Sequence, residues 1–441
     1  DVPAEVRRSG ADEQRTQFVN LSRRSGDDEH RGAVRSGERP GGRSRAVVST
    51  PMMPSDERPS SASEPIRFNR PSLMGRELAL VAEAMDGGWT AAAGPFSRRA
   101  EAALSDAHDG ATVLLTTSCT AALELAAATL DLGPGDVVAV PSFTFPTTAS
   151  AFARNGAALR FIDVDPDTLG MDPVHLADQI DERVKAVVPV HYAGRAASIE
   201  AVCDAASTVG ATVIEDNAHG LFGTHNGRPL GTTGAMSTLS FHETKNFICG
   251  EGGALVINRP ADVDRAEILL HKGTDRRRFD RGQVDKYTWQ LTGSSFGLSD
   301  VLAAYLTGQL EARDEILGRR SALWHRYRDA LSTVADRLGI TLPAVPEGDT
   351  SAWHMFHLLI DGEHRRNRVL ARLHADGIGA TFHYQPLHSS PAGRRLADRT
   401  AHCPVTDRVA DQLLRLPFHN RLAPAQADRV LDSLTRALEE V

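Results

Sequence analysis

The chain has 441 residues, a formal net charge of −8 and a hydrophobic fraction of 41%. This length and composition are typical of a soluble globular protein with two or three domains and a large core. The negative balance argues against a nucleic acid or a membrane surface as a partner. No run of about 20 apolar residues is present, so no transmembrane helix is predicted.

The four cysteines are far apart in the chain and have neither a CxxC nor a zinc-type spacing; they are Cys119, Cys203, Cys249 and Cys403. Such cysteines are typical of free thiols in a reducing compartment. The sequence therefore predicts no disulfide framework and no metal site.

The first 64 residues are rich in Arg, Ser, Gly, Asp and Glu and show little apolar periodicity. In the second half of this segment the longest apolar run is residues 46–48, which is too short to anchor a folded element. Residues 1–64 are therefore predicted to be a disordered or leader segment outside the fold.

From about residue 65 onward, apolar residues recur at the spacings of regular elements. Helical periodicity covers residues 76–85 and 96–107, and strand-like runs then alternate with helix-like ones. The expected strands are 113–115, 137–140, 158–164, 186–190, 212–215, 237–241 and 253–257, and the expected helices are 120–130, 145–155, a short one after Pro173, and 198–209. This order predicts an α/β fold whose mixed, mostly parallel seven-stranded sheet is flanked by helices.

A different pattern begins after Asp300. A long helical stretch runs to about residue 338, and then come an apolar run at 355–360, a helix at 365–375 and a final amphipathic helix at 424–440. We therefore expect a large α/β domain over residues 65–320 and a smaller C-terminal α+β domain over residues 321–441.

The chain contains only four lysines, and one of them, Lys245, lies in an unusual setting. Apolar Leu239 and Phe241 precede it, and the glycine-rich run 250–253 follows, which permits close approach of the backbone. Most lysines are exposed surface residues. A lysine at the end of a strand beside a tight loop is instead placed to form a Schiff base with pyridoxal phosphate (PLP).

Asp216 directly follows the apolar run of a predicted strand, at the sheet edge where open α/β sheets bind ligands. A carboxylate there keeps the pyridine nitrogen of PLP protonated through a charge-assisted bond worth roughly 1.5–3 kcal/mol. The competing interpretation is an ordinary loop aspartate. His219, three residues on, is a candidate to contact the phenolic oxygen of the cofactor, although a lone histidine is more often structural.

The remaining cofactor contacts are predicted at two other strand ends. Residues 116–122 cross from a strand into a helix, where free N–H groups and hydroxyls form an anion site or a plain helix cap. Ser240 adds a hydroxyl from a further strand. Phe145 is placed either to stack on the pyridine ring or to pack in the core.

Six stretches together resemble the DegT/DnrJ/EryC1/StrS aminotransferases of fold-type I: 118–122, 141–145, 161–165, 190–194, 215–219 and 240–246. Four further stretches resemble the dTDP-4-amino-4,6-dideoxygalactose transaminases within that family: 242–246, 281–289, 293–296 and 382–388. The resemblance covers residue 66 to the C-terminus. It implies PLP as the cofactor, Lys245 as the Schiff-base lysine, Asp216 as the pyridinium partner, His219 as the phenolic-oxygen contact, Phe145 as the stacking residue, and Cys119, Thr120 and Ser240 as the phosphate ligands.

The resemblance also implies a cytoplasmic homodimer with sites at the subunit interface. The family usually has an Asn-aromatic-Arg triplet there, and this chain has Ser295, Phe296 and Gly297 instead. Lys286, Arg281 or Arg276 is a candidate for the missing positive charge. His383 and His388, in the last matching stretch, are further candidates for substrate contacts.

The implied reaction transfers the amino group of L-glutamate to C4 of a dTDP-4-keto-6-deoxysugar. A PLP-dependent sugar dehydratase is a rival reading; there histidine replaces the lysine, so Lys245 favours transamination. Amination at C3 of the sugar is a second rival, and the closer resemblance favours C4. A regulatory protein without PLP is a third, and the Lys245–Asp216 pair argues against it.

Overall fold

A computed structural model describes residues 64–362 and 364–441. The predicted disordered or leader segment, apart from Glu64, lies outside the described residues. The boundary near residue 320 between a large and a small domain stays a prediction.

The described residues form fifteen α-helices: α1 Glu77–Asp86, α2 Pro95–Asp106, α3 Cys119–Thr129, α4 Pro146–Ala153, α5 Pro173–Gln179, α6 Ile199–Ser207, α7 Val263–Leu270, α8 Arg276–Asp280, α9 Asp300–Glu311, α10 Arg313–Ser332, α11 Ala335–Leu338, α12 Arg365–Ala375, α13 Pro391–Leu396, α14 Pro404–Gln412 and α15 Pro424–Glu440. Their strands are β1 Thr112–Thr116, β2 Val137–Pro141, β3 Ala158–Ile162, β4 Val184–Val187, β5 Thr212–Asp216, β6 Thr224–His225, β7 Arg228–Pro229, β8 Met236–Ser240, β9 Gly253–Ile257, β10 Ile340–Thr341, β11 His357–Ile360 and β12 Leu413–Arg415.

The main sheet has seven strands in the order β1-β9-β8-β5-β4-β2-β3. The pairs β2–β3, β2–β4, β4–β5 and β5–β8 are parallel, whereas β9 runs antiparallel to both of its neighbours. Most residues of these strands are buried, because helices cover both faces of the sheet. The predicted α/β fold with a mixed, mostly parallel seven-stranded sheet is confirmed.

The parallel strands bring their carboxyl ends to one edge of this sheet. Thr116, Asp216 and Ser240 are the last residues of β1, β5 and β8, and Gly253 begins the antiparallel strand between the first and the last of these. A Cβ atom on Gly253 would clash with the backbone nitrogen of Cys119. Only glycine therefore lets β9 pass this close to the start of α3.

The predicted helical stretch from Asp300 to residue 338 is divided into the helices α9, α10 and α11. The backbone leaves the helical region at Ala312, with φ −91° and ψ 17°. Farther along the chain, β10, β11 and β12 form an antiparallel three-stranded sheet that packs with α10, α12 and α15. The sequence pattern did not predict β12, because two leucines and an arginine directly after a helix have no strand periodicity of their own.

An ion-pair cluster joins the edge of the main sheet to the segment after α13. Arg160, on β3, is 1% exposed and donates to Asp398, with Nη2 2.5 Å from Oδ2. Arg160 also pairs with Asp181 at 2.9 Å. The Asp398 side chain is buried as well and forms its shortest ion pair with Arg160, while Arg183 and Arg399 pair with it at 3.5 and 3.4 Å.

Replacing Asp398 by alanine should therefore lower the free energy of unfolding by about 3–5 kcal/mol, since it leaves the Arg160 guanidinium buried and only partly compensated. Chemical denaturation measures this loss. The matched control is Arg337→Ala, which removes an exposed pair with Glu439 and should cost at most about 1 kcal/mol. Equal losses in the two variants would contradict the proposed importance of the buried pair.

Candidate active site

A cavity of about 630 Å³ lies at the carboxyl edge of the main sheet. This volume suits a ligand of cofactor and substrate size. Eight residues singled out from the sequence line it together: Cys119, Thr120, Phe145, Asp216, His219, Ser240, Lys245 and His383. They come from different strand ends and loops, so it is the topology of the sheet that brings them together.

Lys245 lies in the loop between β8 and β9. Its backbone N–H donates to the carbonyl of His242 at 2.8 Å, and Gly250, at φ +86°, closes the same loop. Burial lowers the pKa of the Lys245 amine from 10.5 to about 8, although the nearby Asp216 carboxylate acts in the opposite direction. Near neutral pH roughly a tenth of Lys245 is therefore a neutral, nucleophilic amine, far more than for an exposed lysine.

This pKa predicts how the apoprotein should take up a carbonyl ligand. Only the neutral amine attacks an aldehyde, so the rate of PLP capture should rise with pH and reach half of its maximum near pH 8. Stopped-flow absorbance of apoprotein mixed with PLP measures the profile. A midpoint near 10.5, the value for an exposed lysine, would contradict the buried position of the amine.

Asp216 is 5% exposed and receives two hydrogen bonds. Thr148 Oγ1 on α4 donates to Oδ2 at 2.7 Å, and the backbone N–H of Ala218 donates to Oδ1 at 3.2 Å. Burial raises the pKa of the Asp216 carboxyl, and these two bonds partly offset the rise. Asp216 is thus held in one orientation at the wall of the cavity, where it can accept a bond from a protonated ring nitrogen.

The neighbouring Glu215 fixes this strand end from the opposite face of the sheet. Its carboxylate accepts from the backbone N–H groups of Gly231, Thr233 and Gly234 and shares a 2.7 Å hydrogen bond with His191 Nε2. Although burial opposes ionisation, these partners hold the pKa of Glu215 below its ordinary value. The anchored glutamate stabilises the backbone that carries Asp216.

His219 stacks on His354, with ring centroids 4.2 Å apart and an angle of 16° between the planes. Burial holds the pKa of both imidazoles well below the ordinary value, so both are neutral. His354 Nδ1 shares a hydrogen bond with Asn246 Oδ1 at 3.0 Å, whereas the buried Nδ1 of His219 has no hydrogen-bond partner. Such an orphaned nitrogen beside a cavity indicates that a ligand atom completes its bonding.

The first turn of α3 supplies an anion site on another wall. The side chain of Ser118 caps the helix by accepting from the backbone N–H of Ala121 at 3.0 Å, and Cys119 and Thr120 lie in the turn whose N–H groups have no intrahelical acceptor. Burial raises the pKa of the Cys119 thiol to about 12, so it stays neutral beside an anion.

Residues 71–435 match the DegT/DnrJ/EryC1/StrS aminotransferase family. The chain belongs to this family. The chain also resembles solved structures, three of which are TlmJ, DesV and CalS13. The aminotransferase TlmJ from Streptoalloteichus hindustanus is 31% identical with a TM-score of 0.78, and the match covers 85% of this chain and 99% of TlmJ. DesV from S. venezuelae, in complex with a ketimine intermediate, is 30% identical with a TM-score of 0.77, and the match covers 86% of this chain and all of DesV.

The third structure, the sugar aminotransferase CalS13 from Micromonospora echinospora, is 25% identical with a TM-score of 0.76, and the match covers 84% of this chain and 99% of CalS13. This member of the DegT/DnrJ/EryC1/StrS family is a PLP-dependent aminotransferase. The donor set at the cavity fits that cofactor: an amine, a buried carboxylate, an imidazole with an orphaned nitrogen, and a helix start for a phosphate.

Two of the predicted site residues of this aminotransferase lie away from the cavity beside other partners. Ser295 precedes Phe296, whose carbonyl accepts from the backbone N–H of Thr117 at 2.8 Å, so this segment lies beside the end of β1. His388 shares a 2.7 Å hydrogen bond with the hydroxyl of Ser142. Neither residue lines the cavity.

Arg281 and Lys286 also lie outside the cavity of their own chain. The guanidinium of Arg281 forms a two-bond ion pair with Glu267, so its charge is compensated. Lys286 is exposed in the segment between α8 and α9.

The sequence reading missed several residues of the site, including Thr148, Asn246, His354 and Arg415. Thr148 follows Phe145 by one helical turn, and this spacing is the one local signal that could have identified it. Arg415 ends β12 and reaches the cavity only because two distant parts of the chain fold together.

Within the described ranges, no group of three or more His, Cys, Asp or Glu side chains is arranged to hold a metal ion. No helix in the same ranges is long and apolar enough to cross a bilayer.

Proposed function

We propose that the enzyme transfers the amino group of L-glutamate to C4 of a dTDP-4-keto-6-deoxyhexose, giving a dTDP-4-amino-4,6-dideoxyhexose. The observation that carries the transamination is the convergence of Lys245, Asp216 and His219 on one cavity. The preference for C4 and for the dTDP sugar is supported by the motif stretches 281–289 and 382–388.

Lys245 has two roles in this proposal. With PLP bound, its neutral amine would hold the cofactor covalently and would be displaced by the amino donor. The free amine then takes the proton from Cα of L-glutamate in the first half-reaction and delivers a proton to C4 of the sugar in the second. The low pKa of the amine favours both transfers near neutral pH.

The other residues bind and orient. PLP, when bound, supplies a reactive carbonyl group and an electron-withdrawing ring. With PLP bound, Asp216 would keep the ring nitrogen protonated, His219 would bind the phenolic oxygen, and Phe145 would pack against the ring. The start of α3, with Cys119 and Thr120, would hold the phosphate together with the hydroxyl of Ser240.

Amination at C3 and dehydration of the sugar are reactions that a product analysis distinguishes from this proposal. The test incubates the enzyme with dTDP-4-keto-6-deoxyglucose and ¹⁵N-labelled L-glutamate and assigns the product by NMR. We expect nitrogen on C4 and one equivalent of 2-oxoglutarate. A product that has lost a hydroxyl group, or activity on a 3-keto sugar only, would overturn the proposal.

We also propose that the enzyme works as a homodimer, in which the segment between α8 and α9 contributes to the partner's site. Tyr287 and Trp289 of this segment support this, together with Phe279 in α8, since they are 48%, 76% and 42% exposed and lie beside the exposed Lys286. A segment that exposes a lysine and aromatic rings without lining its own cavity is placed to contact a dianionic substrate in another subunit. Light scattering should give the mass of two chains.

Lys286→Ala should raise the KM for the dTDP sugar about 10-fold and leave the KM for L-glutamate unchanged, because it removes one charged contact with the diphosphate. Steady-state kinetics measure both values, and Lys185→Ala is the control, since Lys185 is exposed and far from the motif. Mixing the Lys286→Ala and Lys245→Ala variants should restore activity, because one site of a mixed dimer then has both lysines. An unchanged sugar KM would contradict the contact.

A further inference from the structure

Arg415 is the last residue of β12 and extends its side chain to the cavity wall. Its backbone exchanges two hydrogen bonds with Thr381. The Arg415 N–H donates to the Thr381 carbonyl at 2.7 Å, and the Thr381 N–H donates to the Arg415 carbonyl at 3.0 Å. The position of the side chain is therefore set by the sheet rather than by a loop.

The contacts of the guanidinium leave one of its edges free. Nε and Nη2 both donate to the carbonyl of Phe382 at 3.2 Å, and Cζ lies 4.7 Å from the ring centroid of Phe68. Among the residues that the structure describes, no carboxylate forms an ion pair with Arg415. The Nη1–Nη2 edge, which carries two parallel N–H groups, has the geometry that binds a carboxylate through two bonds.

The surroundings of Arg415 favour an anionic ligand. Arg415 is half-buried without a paired carboxylate in the described part of the chain, and this burial lowers the pKa of its guanidinium. Burial, together with the nearby charge of Arg415, holds the imidazole pKa values well below the ordinary value in four histidines: His219, His354, His357 and His383. These rings are neutral and do not compete for an anion, so the positive charge on this side of the cavity belongs to Arg415.

Three anions enter an aminotransferase site of the proposed kind: the cofactor phosphate, the nucleotide diphosphate and the carboxylates of the amino donor. The phosphate position is accounted for by the start of α3. The diphosphate is attached at C1 of the hexose, across the sugar ring from the reacting C4, so it lies away from Lys245. A donor carboxylate is attached close to the reacting Cα, and Arg415 is near enough to Lys245 to lower its pKa.

We propose that Arg415 binds a carboxylate of the amino donor through its free Nη1–Nη2 edge and so positions the donor Cα beside Lys245. This inference rests on the proposed use of L-glutamate and adds the residue that recognises it. Arg415 acts here as a specificity-determining residue for the first half-reaction.

The test replaces Arg415 by glutamine and by lysine. The half-reaction with L-glutamate alone is measured through the loss of PLP absorbance. Arg415→Gln should weaken the binding of L-glutamate about 10- to 100-fold, since it removes a charge-assisted contact. Arg415→Lys keeps the charge but loses the two-bond edge, so its affinity for L-glutamate should lie between those of Arg415→Gln and the wild type. The dissociation constant of 2-oxoglutarate from the pyridoxamine form, measured by calorimetry, should rise in the same order without any turnover.

Arg366→Gln is the matched control. Arg366 donates to the carbonyl of Leu413 on β12 and lies over the ring of Phe382, yet it does not line the cavity. If Arg415→Gln and Arg366→Gln lose equal affinity for L-glutamate and 2-oxoglutarate, the effect of Arg415 is structural and the inference is overturned. A raised KM for the dTDP sugar with unchanged L-glutamate affinity would also overturn it.

Different measurements test the proposed amination at C4 and the proposed role of Arg415. The half-reaction and the 2-oxoglutarate titration contain no sugar. A product aminated at another carbon therefore contradicts the choice of C4 while leaving the role of Arg415 intact. Conversely, normal L-glutamate affinity in Arg415→Gln contradicts this inference whatever the sugar product is.

Discussion

Replacing Lys245 by alanine should reduce the turnover number by on the order of 10⁴-fold, because the variant loses both the covalent link to the cofactor and the base that moves the proton. The rest of the site should persist, since Asp216 keeps its bonds from Thr148 and Ala218. Both half-reactions should slow in single-turnover measurements, because the same amine serves each of them.

The control for this variant is Lys185→Ala, which removes an exposed lysine that donates to a backbone carbonyl. It should leave turnover unchanged. Borohydride reduction of the wild-type holoenzyme, followed by peptide mass analysis, should place the cofactor on the peptide that contains Lys245. Near-normal turnover in Lys245→Ala, or a label on another lysine, would refute the assignment of the whole site.

Replacing Asp216 by asparagine should weaken PLP binding about 10- to 100-fold, since a charge-assisted hydrogen bond is worth roughly 1.5–3 kcal/mol. Turnover of the PLP-saturated variant should fall as well, because an amide does not hold the ring nitrogen protonated and the ring then withdraws electrons less strongly. Equilibrium titration with PLP measures the first effect, and turnover at saturating PLP measures the second.

Thr148→Val is the matched control for Asp216→Asn. It removes the 2.7 Å bond to the carboxylate but keeps the negative charge, so its loss of PLP affinity should be the smaller of the two. If the two variants lose equal affinity, orientation of the carboxylate matters more than its charge. PLP affinity and turnover unchanged in Asp216→Asn would place the ring nitrogen elsewhere in the cavity.

The fold was predictable because its signals are local. Apolar runs such as 137–140 and 253–257 are bounded by turns and alternate with helical periods, and this order already requires crossover connections and a mostly parallel sheet. The helix bounds Arg365–Ala375 and Pro424–Glu440 coincide with the sequence prediction for the same reason. Ala312 was not predicted to interrupt the helical stretch, since alanine normally favours a helix and the break depends on packing.

The amino-acid sequence by itself predicted which residues near the main-sheet edge are candidates to carry the chemistry. Asp216 ends one apolar strand run and Lys245 lies in the loop that follows another, so local pattern and strand direction place both near the carboxyl edge. Only the tertiary structure decided that His354 stacks on His219, that Thr148 orients the carboxylate, and that Arg415 brings an uncompensated charge to the same cavity. These contacts join segments far apart in the chain, and no local periodicity encodes how such segments meet, because their meeting depends on the packing of the entire core.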